Sequence, residues 1–272
     1  MLIHPTLDQL RSLRLEGMAK ALQEQLDAEG LDTWSFEDRL ALLIDRESTH
    51  RDQRRLALRL RKAKLRHRNA CIEDLDFRTK RGLDRRFVLE LAGCEWLRLH
   101  RNLLITGATG SGKTYLACAL AQKACREGYT ALYTRLPRLL EDLRIAHGDG
   151  RYPKLMASLA KIDLLILDDW GMVPIGDADR RELLEILEDR YELKSTLVAS
   201  QVSRDQWYAY LGHPVLADAI LDRLVHNAYS LELQGKESMR KLRAAKADQP
   251  RRPAKGGNPE GTKGAKAGGG DG

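Results

Sequence analysis

Hydrophobic positions at helical spacing dominate the first part of the chain. Leucines and a methionine recur on one side of a helix from Leu7 to Leu26, and a second helix is predicted to begin after Ser35 with Asp38 as its capping partner. The pattern predicts a small all-helical domain over residues 1–70. The apolar stripe of the second helix is formed by Phe36, Leu40, Leu43 and Ile44 and continues to Leu56, Leu60 and Leu65.

The pattern changes in residues 71–247, where short β-rich runs alternate with helical stretches. This alternation predicts an α/β fold, a parallel sheet with helices on both faces. The predicted strands are Leu103–Thr106, Ala131–Thr134, Leu164–Leu167, Thr196–Ala199 and Tyr229–Leu233. Helices are predicted after Lys113, after Pro137, over residues 179–191 and over residues 215–226.

The last stretch, residues 248–272, consists mostly of Gly, Pro, Lys, Ala and Arg and has no apolar periodicity. A segment of this composition cannot bury enough apolar surface to offset the entropy cost of ordering. It is therefore expected to be a disordered basic tail.

A phosphate-binding loop is predicted between the first strand and the helix that follows it. Residues 107–114 read GATGSGKT and match the pattern G-x-x-x-x-G-K-[ST]. Glycines allow the backbone amides to point at a phosphate, and the positive end of the helix favours the same charge. Lys113 would span the β- and γ-phosphates of ATP, and Thr114 would offer its hydroxyl to Mg²⁺. The predicted ATP-binding residues are Gly107, Ala108, Thr109, Gly110, Ser111, Gly112, Lys113, Thr114 and Tyr115.

Two acids, Asp168 and Asp169, follow the buried strand Leu164–Leu167. Asp168 is expected to hold Mg²⁺ through water, and Asp169 is expected to polarise the attacking water. Adjacent carboxylates at a strand end can instead form a turn or a helix cap. The phosphate-binding loop upstream favours the metal site.

Further polar residues follow the fourth strand and lie in the last helix. Ser200 and Gln201 are placed where a doubly wound sheet exposes its ligand-facing edge, and either could sense the γ-phosphate. Arg223 lies beside the apolar stripe of its helix. Spacing alone allows equally a solvated arginine paired with a neighbouring aspartate. Arg240 is ambiguous in the same way.

Composition indicates where the protein works. The longest purely aliphatic run, Leu164–Leu167, is far shorter than the roughly 18 residues of a membrane helix, and the N-terminus lacks the features of a signal peptide. The four cysteines form no C-x-x-C pair, which is typical of free thiols in a reducing compartment. We expect a cytoplasmic protein without membrane contact.

Positive charge is concentrated in two blocks of a chain whose net charge is +7. Residues 46–68 hold ten Lys/Arg against two acids, and residues 243–272 form the other block. In residues 46–68 the leucines form one stripe of the helix, and Lys and Arg occupy most of the other positions. This pattern favours a helix that lies against nucleic-acid phosphates over an ordinary solvated helix. Few aromatic residues lie among these Lys and Arg residues, so the expected partner is double-stranded DNA and not a single strand whose nucleobases stack on aromatic rings. The predicted DNA-binding residues are Arg54, Arg55, Arg59, Arg61, Lys62, Lys64, Arg66 and Arg68.

Taken together, four segments resemble the IstB-like ATPases, helper proteins of insertion-sequence transposition related to DnaC-type helicase loaders in the AAA+ class. They are GATGSGKTYLA, LLILDDWG, ADAILDRLVHNA and GKESMRK. The N-terminal segments LRLEGMAKAL and FEDRLALLIDRE are also similar, so the resemblance covers roughly residues 5–245.

The resemblance implies an AAA+ sheet of order 5-1-4-3-2 and nucleotide-dependent ring or helical homo-oligomers with ATP between subunits. Arg223 would then be the arginine finger, Arg240 the second sensor, and Ser200 with Gln201 the first. Asp169 stands where many AAA+ proteins have glutamate, which implies slow turnover. Little sequence follows the last strand, so the C-terminal lid is expected to be reduced or absent.

The function implied is that of a DNA-stimulated ATPase that assembles on double-stranded DNA and recruits or activates a transposase. A helicase loader with the same ATPase core is the main alternative. A small-molecule or nucleoside kinase is disfavoured because no arginine-rich lid is evident. An ATP-gated binding module with negligible hydrolysis is a further alternative.

Overall fold

A five-stranded parallel sheet forms the centre of the protein, as seen in a computed structural model that describes residues 5–28, 33–79, 81–234 and 238–239. The strand order is β2-β3-β4-β1-β5 and every neighbouring pair is parallel, which confirms the expected order 5-1-4-3-2. Each predicted strand is found, with ends that differ by at most three residues. The strands are β1 (Asn102–Gly107), β2 (Ala131–Arg135), β3 (Leu164–Trp170), β4 (Ser195–Ser200) and β5 (Ala228–Leu233).

Helices cover both faces of the sheet because the side chains of each strand alternate between two apolar cores. Leu103 and Ile105 of β1 belong to one core, whereas Leu104 belongs to the other. The helices of this part are α4 (Arg85–Ala92), α5 (Glu95–Arg98), α6 (Lys113–Arg126), α7 (Leu136–Asp149), α8 (Tyr152–Lys161), α9 (Asp177–Glu188), α10 (Trp207–Leu211) and α11 (Pro214–Val225). The predicted helices α6, α7, α9 and α11 are confirmed, and α8 is an additional helix between α7 and β3.

Three helices precede the sheet: α1 (Pro5–Ser12), α2 (Glu16–Asp27) and α3 (Phe36–Ala63). The prediction of one helix from Leu7 to Leu26 is wrong, because Arg14 has a φ of 60° and separates α1 from α2. The predicted start of α3 is confirmed: Ser35 Oγ accepts a hydrogen bond from the Asp38 amide at 3.1 Å. This contact satisfies one of the amides left unpaired at a helix start.

The apolar stripe of α3 divides into two parts. Phe36 is 73% exposed and Ile44 53%, so the first part is not in a core. Leu56 and Leu60 pack against the core between the sheet and α6. The residues that follow α3 join the same core, in which Ala63, Leu65 and Ala70 are buried. The chain on both sides of residue 70 thus contributes to one core, and the domain boundary at residue 70 stays a prediction.

Helices α2 and α3 cross at a close contact between Gly17 and Glu47. The buried Glu47 carboxylate accepts hydrogen bonds from the Gly17 amide at 2.8 Å and the Met18 amide at 3.1 Å. A negative charge at the positive end of a helix is stabilising. A Cβ at Gly17 would lie 2.7 Å from the Arg46 carbonyl oxygen, so the crossing requires glycine.

None of the helices in the described ranges has the length and apolar character needed to span a bilayer. Arg240, the lid region and the predicted tail at residues 248–272 lie outside the described residues.

Candidate nucleotide-binding site

The loop between β1 and α6 has the backbone shape of a phosphate cradle. Gly107 has a φ of 143° and Gly112 a φ of 102°, values that side chains other than hydrogen strongly disfavour. A Cβ at Gly107 would lie 2.1 Å from the Leu233 carbonyl oxygen, and one at Gly112 would lie 2.3 Å from a nitrogen of Arg81. The glycines thus let β5 and Arg81 pack directly against the loop. The 14-residue helix α6 begins at Lys113 and points its positive end into the loop.

Lys113 folds back over this loop. Its Nζ donates hydrogen bonds to the carbonyl oxygens of Gly107 at 2.7 Å and Ala108 at 2.9 Å, and the residue is only 7% exposed. The ammonium group is therefore held at the centre of the cradle, where phosphate oxygens can replace the carbonyl partners.

The two predicted metal ligands are in direct contact. Thr114 Oγ1 donates a hydrogen bond to Asp168 Oδ2 at 2.8 Å, and Tyr133 Oη donates to the same oxygen at 2.7 Å. Asp168 is 2% exposed, and its Oδ1 accepts from the Asp169 amide at 2.9 Å. A hydroxyl and a buried carboxylate are the hard oxygen donors that Mg²⁺ prefers. These residues therefore fit a Mg²⁺ ion bound together with a nucleotide.

Asp168 and Asp169 both line the cleft, although successive side chains of a regular strand point to opposite faces. Asp169 has a φ of 60°, and the pairing of β3 with β4 shifts register between Leu167 and Trp170. This irregularity turns the second carboxylate to the same side as the first. Burial and the charge of Asp168 raise the pKa of Asp169, while Arg135 Nη1 lies 3.8 Å from its carboxylate. A raised pKa suits a proton acceptor.

An open cleft surrounds these groups. Of the predicted ATP-binding residues, those that line it are Thr109, Gly110, Gly112, Lys113, Thr114 and Tyr115. Apart from Ala199 of β4, six lining residues were not predicted as nucleotide ligands: Arg66, His67, Leu75, Asp76, Arg81 and Met239. They come from the segments after α3 and after β5, which the loop motif does not include.

The two candidate sensors after β4 have different environments. Ser200 is fully buried, and its single hydroxyl hydrogen can be donated to the carbonyl oxygen of Trp170 at 3.0 Å or of Val202 at 2.9 Å, while Oγ accepts from the Val202 amide at 3.0 Å. Its prediction as a catalytic residue is corrected, because the hydroxyl ties β4 to the end of β3 and does not line the cleft. Gln201 does line the cleft, and its Oε1 accepts a hydrogen bond from Thr109 of the loop.

Arg223 lies on α11, away from the cleft of its own chain. Its Nε forms an ion pair with Glu188 of α9, and Nη1 donates to the Ala219 carbonyl oxygen at 2.9 Å. The side chain is about one quarter exposed. This chain therefore does not bring Arg223 to its own phosphate loop.

The eight predicted DNA-binding residues do not share one environment. Arg59 is half-buried and donates to the Cys125 carbonyl oxygen at 2.8 Å, so it caps the end of α6. Arg66 lines the nucleotide cleft. Arg59 is thus engaged with α6, whereas Arg66 is exposed at the rim of the cleft, and DNA contacts of both residues stay a prediction. The remaining six are exposed: Arg54, Arg55, Arg61, Lys62, Lys64 and Arg68.

Strand order, phosphate-binding loop and acid pair together define an AAA+ P-loop nucleotide-binding protein. The chain belongs to the IstB-like ATP binding protein family, which matches residues 8–247. It is 49% identical to the insertion sequence ATP-binding protein y4pL of Sinorhizobium fredii, over 91% of this chain and all of that protein. The resemblance inferred from the sequence is confirmed.

Solved structures confirm the fold. The crystal structure of DnaI aligns with a TM-score of 0.54 at 24% identity, covering 61% of this chain and 92% of DnaI. The DnaC helicase loader aligns with a TM-score of 0.52 at 21% identity, covering 61% of this chain and 97% of DnaC. At these identities the likeness concerns the fold alone.

Proposed function

We propose that this protein is a Mg²⁺-dependent ATPase that assembles on double-stranded DNA and recruits or activates a transposase. The observation that carries the proposal is the convergence of Lys113, Thr114, Asp168 and Asp169 in one cleft. Membership of an ATP-binding family of insertion sequences supports the connection with transposition.

Each residue of the cleft has a role in hydrolysis under this proposal. The loop amides and Lys113 bind the phosphates, and Asp169 accepts a proton from the attacking water. Gln201, held against Thr109, is the residue placed to sense the terminal phosphate. Thr114 and Asp168 would hold Mg²⁺, which would neutralise charge on the phosphates.

Homo-oligomers are part of the proposal because the cleft of one chain holds no contribution from Arg223. In a ring or helical assembly, Arg223 would reach the nucleotide of the adjacent subunit and stabilise charge that develops during hydrolysis. Its ion pair with Glu188 would then be exchanged for a contact with phosphate.

The exposed Lys and Arg side chains of α3 and of the residues after it support the proposal of a DNA partner. Seven exposed Lys/Arg side chains lie within residues 54–68. Phosphate contacts of this kind depend steeply on salt, because each one releases condensed counterions.

Sedimentation and salt titration test the proposal together. With ATP and duplex DNA the wild type should form higher oligomers, and Lys113→Ala should not. The magnitude of the slope of log affinity against log salt concentration should fall by about one for each phosphate-contacting Lys or Arg of α3 that is replaced. A monomer that is unchanged by ATP and DNA would contradict the proposal, and a preference for single strands would favour a helicase loader.

A further inference from the structure

Helix α3 connects its exposed Lys and Arg side chains to the nucleotide cleft as one continuous helix. It has 28 residues, a length of about 42 Å at 1.5 Å per residue. Immediately after it, Lys64 has a φ of 50° and turns the chain, and Leu65 is buried in the sheet core. Arg66 and His67 follow and line the cleft, where the His67 ring lies 5.7 Å from that of Tyr115. The end of α3 is thus anchored beside the cleft.

Arg66 joins a chain of polar contacts that ends at the metal site. The pKa of Arg66 is raised, first by a side-chain hydrogen bond with Tyr133 and also by the charges of Asp168 and Asp169. Tyr133 Oη in turn donates to Asp168 Oδ2, the oxygen that also accepts from Thr114. Arg66, Tyr133, Asp168 and Thr114 are therefore connected by side-chain contacts across three elements of the fold.

A nucleoside triphosphate would alter this chain of contacts. It brings several negative charges into a cleft where Arg66 is hydrogen-bonded to Tyr133 and is close enough to Asp168 and Asp169 for their charges to act on it. Arginine binds phosphate oxygens through charge-assisted, often bidentate hydrogen bonds, so the phosphates compete with Asp168 and Asp169 for it. Since Arg66 is three residues beyond the last residue of α3, its movement would be passed to that helix.

We propose that Arg66 is a sensor of the nucleoside triphosphate within its own chain, contacting the phosphate end of the nucleotide and coupling its presence to the DNA-binding helix α3. The coupling to DNA binding rests on the proposed function. The contact between Arg66 and the nucleotide rests only on the residues that line the cleft. By linkage, the factor by which ATP strengthens DNA binding must equal the factor by which DNA strengthens ATP binding.

The nucleotide part is tested by calorimetry with ATPγS and ADP in the presence of Mg²⁺. Arg66→Ala should weaken ATPγS binding about 10-fold or more, the loss expected for one charge-assisted bond, and change ADP binding by less than about 2-fold. Arg66→Lys should restore part of the loss. The matched control Arg68→Ala removes the same charge two residues away, outside the cleft, and should bind both nucleotides as the wild type does. Equal losses for ATPγS and ADP, or no loss, would overturn the inference.

The coupling is tested by measuring duplex affinity with and without ATPγS. In the wild type the ratio of the two affinities should be about 5-fold or more. Arg66→Ala should bring the ratio to about 1, whereas Arg68→Ala should weaken DNA binding in both states and keep the ratio. A ratio unchanged in Arg66→Ala would overturn the coupling. A wild type that binds no DNA in either state would contradict the proposed function, and the comparison of ATPγS with ADP would still decide the nucleotide role of Arg66.

Discussion

Thr114 at the start of α6 and Asp168 near the end of β3 are joined by a hydrogen bond of 2.8 Å. They are 54 residues apart in the sequence. The bond forms because β1 and β3 are parallel strands on either side of β4, so their carboxyl ends meet at one edge of the sheet. This contact joins the phosphate-binding loop and the acid pair of β3 in one site.

Asp169 should be required for hydrolysis and not for binding. We expect Asp169→Asn to lower ATP turnover about 100-fold or more, since an amide cannot accept the proton, and to leave nucleotide affinity within about 2-fold. Phosphate release and calorimetry measure the two quantities. Asp45→Asn, the same change at an exposed position on α3, serves as the control. Undiminished turnover in Asp169→Asn would remove Asp169 from the mechanism.

Arg223 should act on the nucleotide of an adjacent subunit. Arg223→Ala should bind nucleotide and lose hydrolysis, and mixing it with Lys113→Ala should restore part of the turnover, because each variant supplies what the other lacks. Glu188→Gln removes the partner of Arg223 within the chain and should keep hydrolysis. Without restoration in mixed assemblies, Arg223 would be a structural residue.

Ser200 and Gln201 form a pair of adjacent residues with opposite expected effects. Ser200→Ala removes buried hydrogen bonds and should lower the free energy of unfolding by about 1 kcal/mol while turnover is kept. Gln201→Ala should keep stability and lower turnover about 10-fold. Urea unfolding and phosphate release distinguish the two. The reverse pattern would contradict the assignment of Gln201 as the sensor.

The contact between Glu47 and α2 should make stability depend on pH. Burial acts to raise the pKa of Glu47, but hydrogen bonds from Arg51 and from the amides of Met18 and Gly17 outweigh it, so the pKa lies below its ordinary value of 4.5. A lowered carboxyl pKa contributes stability above the unfolded pKa, and this contribution is lost as the pH falls through the folded pKa.

Glu47→Gln should therefore lower the free energy of unfolding by about 1–3 kcal/mol at neutral pH. The difference from the wild type should shrink as the pH falls below about 4.5, the unfolded pKa of the carboxyl. Glu24→Gln, at an exposed acid of α2, is the control. Urea titrations at a series of pH values measure the effect, and a difference that does not vary with pH would show that the charge of Glu47 is unimportant.

Local patterns predicted the sheet well. Apolar runs such as Leu164–Leu167 define buried strands by themselves, and the loop motif states which residue types cradle a phosphate. Asp168 and Asp169 were predicted from their position after a strand. The irregular backbone that turns both acids to one side was not predicted, because a φ of 60° at an aspartate depends on packing against β4.

Charge patterns were a weaker guide. Arg66 and Arg59 look like their neighbours in a run of bases, and only the folded chain shows that one lines the cleft and the other caps α6. Helical periodicity likewise did not reveal the break at Arg14 or the exposure of Phe36. A periodic stripe shows which residues share a face, but not what covers that face.

Magnesium-dependent nucleotide binding tests the central claim most directly. We predict that calorimetry of the wild type with ATP shows one site per chain with Mg²⁺, and much weaker binding with EDTA. Lys113→Ala should abolish the binding at the same protein concentration, because the loop loses its only lysine. A wild type whose ATP affinity is absent, or is the same with and without Mg²⁺, would contradict the account.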